Sequence, residues 1–113
     1  MGMLENLEAM LASGEDNALL RFTLGSALFK QGDARRAAEH LREAVRQDPE
    51  YSAAWKILGR ALQALDDSGG ACRAFERGIE TAERKGDMQA AREMRVFLKR
   101  AQKAATGSPG KPS

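Results

Sequence analysis

The chain has 113 residues and a formal net charge of +2, a length that suits one domain with its own hydrophobic core. A charge this close to neutral gives no reason by itself to expect nucleic acid or a membrane surface as a partner. No apolar run approaches the roughly 20 residues that span a bilayer. Val, Ile and Thr are scarce while Ala, Leu, Glu and Arg are abundant, so we expect an all-α protein.

The cysteine content and the first residues of the chain indicate the cellular compartment. Cys72 is the only cysteine, which excludes an intramolecular disulfide and suits a reducing environment. The first residues lack the positive and apolar regions of a secretory signal. We therefore expect a cytoplasmic protein.

Charge is distributed unevenly along the chain. Residues 1–17 contain four acidic side chains and no basic one, whereas residues 84–113 contain eight basic and two acidic side chains. Ends of opposite charge can steer partners or stack copies head to tail. Ordinary solvated helix faces explain the same pattern, so both interpretations stay open.

The predicted helices begin with residues 3–13. The apolar face of this helix carries Leu4, Leu7 and Leu11. Two further helices lie within residues 18–51, where Gly32 can take the left-handed conformation that ends the first and Asp33 can cap the second. This unit ends at Pro49, because proline cannot continue a helix and disfavours helical geometry before it.

Residues 52–85 repeat the pattern of two helices. We expect Ser52 to be the N-cap of the first helix. The two apolar stripes consist of Ile57, Leu58, Ala61, Leu62 and Leu65, and of Ala71, Cys72, Phe75, Gly78, Ile79 and Ala82. The turn between them has Asp66 where the first unit has Gly32, and two glycines follow at the helix start. Each helical glycine costs up to about 1 kcal/mol, so we expect this turn to be the softest point of the repeat.

A last helix is predicted over residues 87–105. Its core face carries Ala90, Ala91, Met94, Phe97, Leu98 and Ala101, and its opposite face carries Arg92, Arg95, Lys99 and Lys103. A helix that is apolar on one side and charged on the other suits the end of a helical stack. Residues 106–113 are rich in Gly, Pro and Ser and are expected to be a disordered tail.

The two central units align without a gap at an offset of 34 residues. The identical pairs are Leu24/Leu58, Gly25/Gly59, Ala27/Ala61, Leu28/Leu62, Asp33/Asp67 and Ala37/Ala71. These positions share one packing explanation, because small residues allow two helices to approach and large residues fill the space between them. We expect Trp55 and Phe75 to be substantially buried.

This pattern resembles the tetratricopeptide repeat family, whose 34-residue repeat combines Trp, Leu-Gly, an aromatic residue, a small residue, Phe and a closing Pro. The matching residues are Trp55, Leu58, Gly59, Ala71 and Phe75 in the second unit, and Leu24, Gly25, Ala37 and Pro49 in the first. The departures are Arg21 in place of Trp, Leu28 and Leu62 in place of the aromatic residue, and Glu83 in place of Pro. The resemblance implies one domain over residues 1–105, a right-handed superhelical stack (α-solenoid) of antiparallel helix pairs with about six helices.

The resemblance also implies a function, since the first helix of each such unit lines a concave groove that receives a peptide or helix of a partner protein. The corresponding positions here are Leu19, Phe22, Ser26, Phe29, Ala53, Lys56, Arg60 and Gln63. Aromatic residues of this kind anchor a ligand, and Lys or Arg can pair with a carboxylate. Some family members clamp a C-terminal carboxylate with Lys and Asn. Here Lys56 and Arg60 stand at those positions in one unit only, which favours a more general acidic and aromatic ligand.

No set of residues predicts catalysis. His40 is the only histidine, so neither a histidine metal site nor a Ser-His-Asp triad is indicated, and a solvated surface role suits it. Cys72 aligns with Ala38 and is expected to be a small core-facing residue. We expect no enzyme activity, cofactor, metal or small-molecule substrate, and a partner that is another protein.

Two alternatives to groove binding remain at the level of sequence. The chain can be a self-associating assembly subunit, or an accessory protein that contacts an acidic partner or nucleic acid through its basic last helix. No aromatic side chains are interleaved with the cations of that helix, which disfavours nucleic acid. A monomer is favoured over a homo-oligomer because the last helix has a charged outer face.

Overall fold

Residues 2–106 are described by the computed structural model, and within them the chain forms six α-helices and no strand. The helices are α1 (Met3–Ala12), α2 (Ala18–Lys30), α3 (Ala34–Gln47), α4 (Ser52–Ala64), α5 (Ser68–Arg84) and α6 (Met88–Thr106). The prediction of an all-α protein with about six helices is confirmed. The predicted disordered tail lies outside the described residues apart from Thr106, which is the last residue of α6.

Short turns fold successive helices back on one another. The most extensive packing joins α2 to α3, α4 to α5 and α5 to α6, and α3 also packs on α4. The backbone of α2 lies close to that of α4, and α4 lies close to α6, whereas the backbones of α3 and α5 do not approach each other. The three even-numbered helices α2, α4 and α6 therefore lie in a row on one side of a layer, with α3 and α5 on the other. We call the first side the three-helix face.

Local sequence determines where the helices of each pair begin and end. Gly32 has a φ of +89° after α2, and Asp66 adopts the equivalent left-handed conformation after α4, with a φ of +62°. The Asp33 side chain accepts a hydrogen bond from the Arg36 backbone N–H, as predicted, and Asp67 accepts one from Gly70. The expected cap at Ser52 is wrong, because α4 already includes Ser52 and Tyr51 precedes it without a side-chain cap.

Two glycines allow the paired helices to approach closely. A Cβ atom placed on Gly59 would lie 2.5 Å from the Phe75 ring, and one placed on Gly25 would lie 2.5 Å from the Leu41 side chain. Phe75 and Leu41 have no exposed surface. The structure therefore confirms that the small residues of the repeat lie where the first and second helices of each unit meet.

The single tryptophan is less buried than Phe75. Trp55 is partly exposed, its indole N–H donates to the Pro49 carbonyl oxygen at 2.9 Å, and its ring lies beneath the Arg77 guanidinium. Arg21, at the equivalent position of the first unit, donates to the Asp16 carboxylate and to His40 instead. The residue at this position of the repeat therefore makes an aromatic contact in the second unit and belongs to a polar network in the first.

The two ends of the stack differ in how firmly they pack. α6 buries Ala91, Met94 and Ala101, and its Phe97 ring stacks on Phe75 with centroids 5.6 Å apart. Within the described residues, the backbone of α1 packs only on that of α2, its one ion pair to α3 is Glu8–Arg36, and it has no buried residue. Its apolar stripe (Leu4, Leu7 and Leu11) is only partly covered. Across residues 2–106, no helix combines the length and the apolar character needed to cross a membrane.

Candidate functional site

The eight residues expected to line a groove all lie on α2 and α4, two of the helices that form the three-helix face. Leu19 and Ala53 are exposed, with 65% of the Leu19 surface accessible. The other six are partly buried: Phe22, Ser26, Phe29, Lys56, Arg60 and Gln63. The face thus has partly covered aromatic rings and cations and an exposed apolar side chain near the start of α2.

Arg60 lies at the centre of this face. Its guanidinium carbon is 5.1 Å from the centroid of the Phe29 ring on α2 and 5.0 Å from that of the Phe97 ring on α6. Both distances are within the range of a favourable cation–π interaction. Three helices therefore hold one guanidinium group in position, and Arg60 forms no ion pair with any residue of the range 2–106.

Sequence reasoning missed the contribution of α6 to this face. A surface cavity of about 360 Å³ is lined by Lys56, Arg60, Glu93, Val96, Phe97 and Arg100. Lys56 donates to Glu93 at 3.2 Å, and the Arg100 guanidinium lies 5.8 Å from the Phe97 ring. The sequence signal for this contribution is the position of α6, which follows the second unit where the first helix of a third repeat would lie. The sequence pattern predicts a capping helix with a basic outer face, and it does not predict that α6 lines the groove.

Phe22 and Ser26 extend the face along α2. The Phe22 ring packs on the Tyr51 ring, with centroids 4.8 Å apart. The Ser26 hydroxyl oxygen is buried and has no hydrogen-bond partner within the described chain. A buried hydroxyl group without a partner is uncommon in proteins, and this one lies one helical turn from Phe22 and close in sequence to Phe29.

His40 belongs to a polar network on the opposite side of α2. Its Nδ1 atom accepts from Arg21 at 3.1 Å, and Arg21 also donates to both oxygens of Asp16. Burial lowers the pKa of His40, and the neighbouring Arg21 and Arg36 lower it further. The expectation of a simply solvated histidine is therefore wrong. Cys72 is partly buried against the core, and burial raises the pKa of its thiol.

The charged ends of the chain are partly neutralised within the molecule. Glu8 pairs with Arg36, and Asp16 pairs with Arg21, so two of the four N-terminal carboxylates have internal partners. On α6, Arg95 pairs with Glu83. No group of three or more potential metal-ligating side chains occurs within residues 2–106.

Comparisons with known proteins agree with this architecture. A family model described as tetratricopeptide repeat matches residues 22–83. A TPR repeat-containing protein of Pseudomonas aeruginosa is 57% identical over 104 residues, which is 92% of this chain and 99% of the relative.

Solved structures give the same result. A protein of Bordetella parapertussis, whose structure was determined in solution, is 43% identical, with a TM-score of 0.78 and 99% of both chains covered. The TPR domain of Sgt2 from Aspergillus fumigatus is 26% identical, with a TM-score of 0.77 and coverage of 97% of this chain and 73% of that one.

Proposed function

The chain belongs to the tetratricopeptide repeat family, and from that premise we propose that it binds a peptide or helical segment of a partner protein on its three-helix face. Tetratricopeptide repeats are in general protein-interaction modules and non-enzymatic scaffolds. The proposed role is that of an adaptor without catalytic activity. Its ligand contacts would be those of α2, α4 and α6.

The observation that carries the proposal is the position of Arg60 between Phe29 and Phe97. The two rings restrict the guanidinium group, so little side-chain entropy remains to be lost when a ligand binds. A guanidinium has five N–H donors in its plane and can bind a carboxylate through two parallel hydrogen bonds. Because Arg60 has no carboxylate partner within residues 2–106, its donors are available to a ligand.

Neighbouring groups favour an acidic ligand with an apolar side chain. Arg100 lines the same cavity as Arg60, and so does Lys56, although Glu93 partly neutralises Lys56. Apolar contact surface is supplied by Phe97 and by Val96, which is 52% exposed. We propose that a side-chain or C-terminal carboxylate of the partner pairs with Arg60, and that an adjacent aromatic or aliphatic side chain packs on the rings.

Selection of random peptides displayed on phage tests this proposal. We expect peptides that bind the unaltered protein to share a carboxylate next to an aromatic or aliphatic residue. Arg60→Ala should weaken their binding by about 10-fold or more, because a charge-assisted hydrogen bond contributes about 1.5–3 kcal/mol. Arg35→Ala is the matched control, since Arg35 is exposed on α3, away from this face. Selected peptides that lack carboxylates, or that bind the Arg60→Ala variant as tightly as the parent, would contradict the proposal.

A further inference from the structure

A second cavity lies on the other side of the molecule, between α3 and α5. Because the backbones of these helices stay apart, a space open to solvent lies between them, with a volume of about 510 Å³. We call it the α3/α5 cleft. It is lined by Val45, Trp55, Leu58, Leu62, Gly70 and Ala74, and by the charged residues Arg42, Asp67, Arg73, Glu76 and Arg77. None of the residues expected to line a groove belongs to it.

The lower part of the cleft is apolar and closely packed. Val45, Leu58, Leu62 and Ala74 each have less than a tenth of their surface exposed, so they form a solid floor. Trp55 is the partly exposed member, and its ring lies beneath the Arg77 guanidinium at 4.8 Å. An apolar ligand side chain that enters the cleft would contact this floor, and burial of that side chain would favour binding.

Arginine side chains stand on both walls of the cleft. Arg42 belongs to α3, whereas Arg73 and Arg77 lie one turn apart on α5. Arg42 and Arg73 have no carboxylate within ion-pair distance in the part of the chain that the structure describes. Arg77 covers Trp55 and lies 4.0 Å from Glu80. The two walls therefore each present an arginine that can receive an acidic group.

The two acidic residues of the cleft, Asp67 and Glu76, only partly offset its three arginines, so the lining keeps a positive excess. The Asp67 carboxylate accepts the Gly70 backbone N–H at 2.9 Å and thereby caps α5. Glu76 forms no ion pair within residues 2–106. It would repel a continuous polyanion such as nucleic acid more than a short segment with two spaced carboxylates.

We propose that the α3/α5 cleft is a second protein-binding site, which takes a short acidic segment of a partner protein. In the complex, an apolar side chain of the segment lies on Leu62 and against the part of Trp55 that Arg77 leaves open, and flanking carboxylates pair with Arg42 and Arg73. A second copy of this chain is not the occupant. Its acidic N-terminal region already uses Glu8 and Asp16 in pairs with Arg36 and Arg21.

The α3/α5 cleft is separate from the proposed site on the three-helix face. Binding in the cleft can be followed through Trp55. Trp55 is the only tryptophan and lines the α3/α5 cleft, so its fluorescence and its indole N–H resonance respond to a ligand there. The probe is the peptide Glu-Asp-Leu-Phe-Asp-Glu with both ends blocked, which removes the terminal carboxylate. Its control is Gln-Asn-Leu-Phe-Asn-Gln, which keeps the apolar residues and lacks the charge.

Titration of the ¹⁵N-labelled protein locates the peptide. We expect the acidic peptide to shift the Trp55 indole N–H and the amides of α3 and α5. The double variant Arg42→Gln/Arg73→Gln should weaken this binding about 10-fold or more, whereas Arg60→Gln should leave it unchanged. Both arginines of the double variant are exposed, so its melting temperature should match that of the parent.

Three results would overturn the proposal. The first is equal binding of the neutral peptide, and the second is binding that the double variant retains in full. The third is the absence of shifts at the Trp55 indole N–H and at the amides of α3 and α5, whether or not other residues of α2, α4 or α6 shift. If shifts occur only on those three helices and Arg60→Gln abolishes them, the peptide binds the three-helix face. The proposal for the α3/α5 cleft is then wrong, and the proposal for the three-helix face is supported.

Discussion

The guanidinium carbon of Arg77 lies 4.8 Å from the centroid of the Trp55 indole ring. The residues 34 positions earlier in the first unit are Glu43 and Arg21, which attract each other by charge. The same place in the repeat thus has an arginine over an aromatic ring in one unit, whereas in the other Arg21 pairs with Asp16 and Glu43 pairs with Arg46. The first unit folds without the family's tryptophan at this position. Removal of the aromatic side chain from the second unit should nevertheless destabilise that unit.

Truncation of the two large aromatic residues of the second unit tests this. Phe75→Ala should lower the free energy of unfolding by about 3–5 kcal/mol, because Phe75 has no exposed surface. Trp55→Ala should cost about 3 kcal/mol, at the lower end of that range, since Trp55 is partly exposed. Urea unfolding followed by circular dichroism measures both. A Trp55→Ala variant within about 0.5 kcal/mol of the parent would show that the assigned repeat position is wrong.

Two glycine substitutions should change stability in opposite directions. A Cβ on Gly59 would lie 2.5 Å from the buried Phe75 ring, so Gly59→Ala should destabilise the protein by about 1–3 kcal/mol. The nearest atom to a Cβ on Gly69 is an Arg73 side-chain nitrogen at 3.7 Å. Gly69→Ala should therefore stabilise α5 by about 0.5–1 kcal/mol, because alanine favours a helix more than glycine does. Thermal melting distinguishes the two, and equal effects would argue against close packing at Gly59.

His40 should make stability depend on pH below its ordinary pKa, near 6.5. Its pKa in the folded protein is lowered, chiefly by burial and then by Arg21, so the unfolded chain binds the proton more readily. The stability contributed by neutral His40 is present above the unfolded pKa, near 6.5, and is lost as pH falls through the folded pKa.

Urea unfolding at a series of pH values checks this, with His40→Gln as the comparison. Stability of the parent should fall as pH decreases below the ordinary pKa of His40, and the slope should be smaller in the variant. Carboxylates such as Glu43, whose pKa is lowered to about 2 by Arg46 and then Gln47, affect stability only at more acidic pH. Identical slopes in the two proteins would exclude His40 as the cause.

The basic face of α6 provides a test of the nucleic-acid alternative. We expect no saturable binding of a short single-stranded DNA at about 150 mM salt, because this face has no aromatic side chain interleaved with its cations on which bases could stack. The charge-reversed control carries Arg92→Glu, Lys99→Glu and Lys103→Glu. Arg95 is left unchanged because it pairs with Glu83. Fluorescence anisotropy at several salt concentrations measures the affinity. Strong binding that weakens steeply with salt and disappears in the control would support the alternative.

We predict that the protein is a monomer. α6 buries its apolar face against α5, and two of the four N-terminal carboxylates, Glu8 and Asp16, pair within the molecule, which weakens a head-to-tail contact. Sedimentation velocity should give one species whose mass does not change with concentration. The weakest point is α1, which has no buried residue and whose Met3 is 62% exposed. A stable dimer would assign α1, with Leu4, Leu7 and Leu11, to an interface.

The sequence by itself determined the helices and their pairing. Glycine at a helix end, aspartate at a helix start and apolar residues every three or four positions act within a few residues of one another, so the sequence pattern records them directly. The 34-residue repeat then indicated that Gly25 and Gly59 lie where two helices approach, because recurring small and large residues have one packing explanation. The error at Ser52 is also local, since a serine can either cap a helix or begin it.

Only the tertiary structure decided which side chains meet between helices. Arg60 lies between Phe29 and Phe97, which are 31 and 37 residues away along the chain, and no local pattern links the three. Likewise, the α3/α5 cleft exists because α4 separates two helices that each unit's sequence describes independently. Such contacts depend on how far apart and at what angle the helices pack, and these quantities are set by the volumes of many buried side chains together.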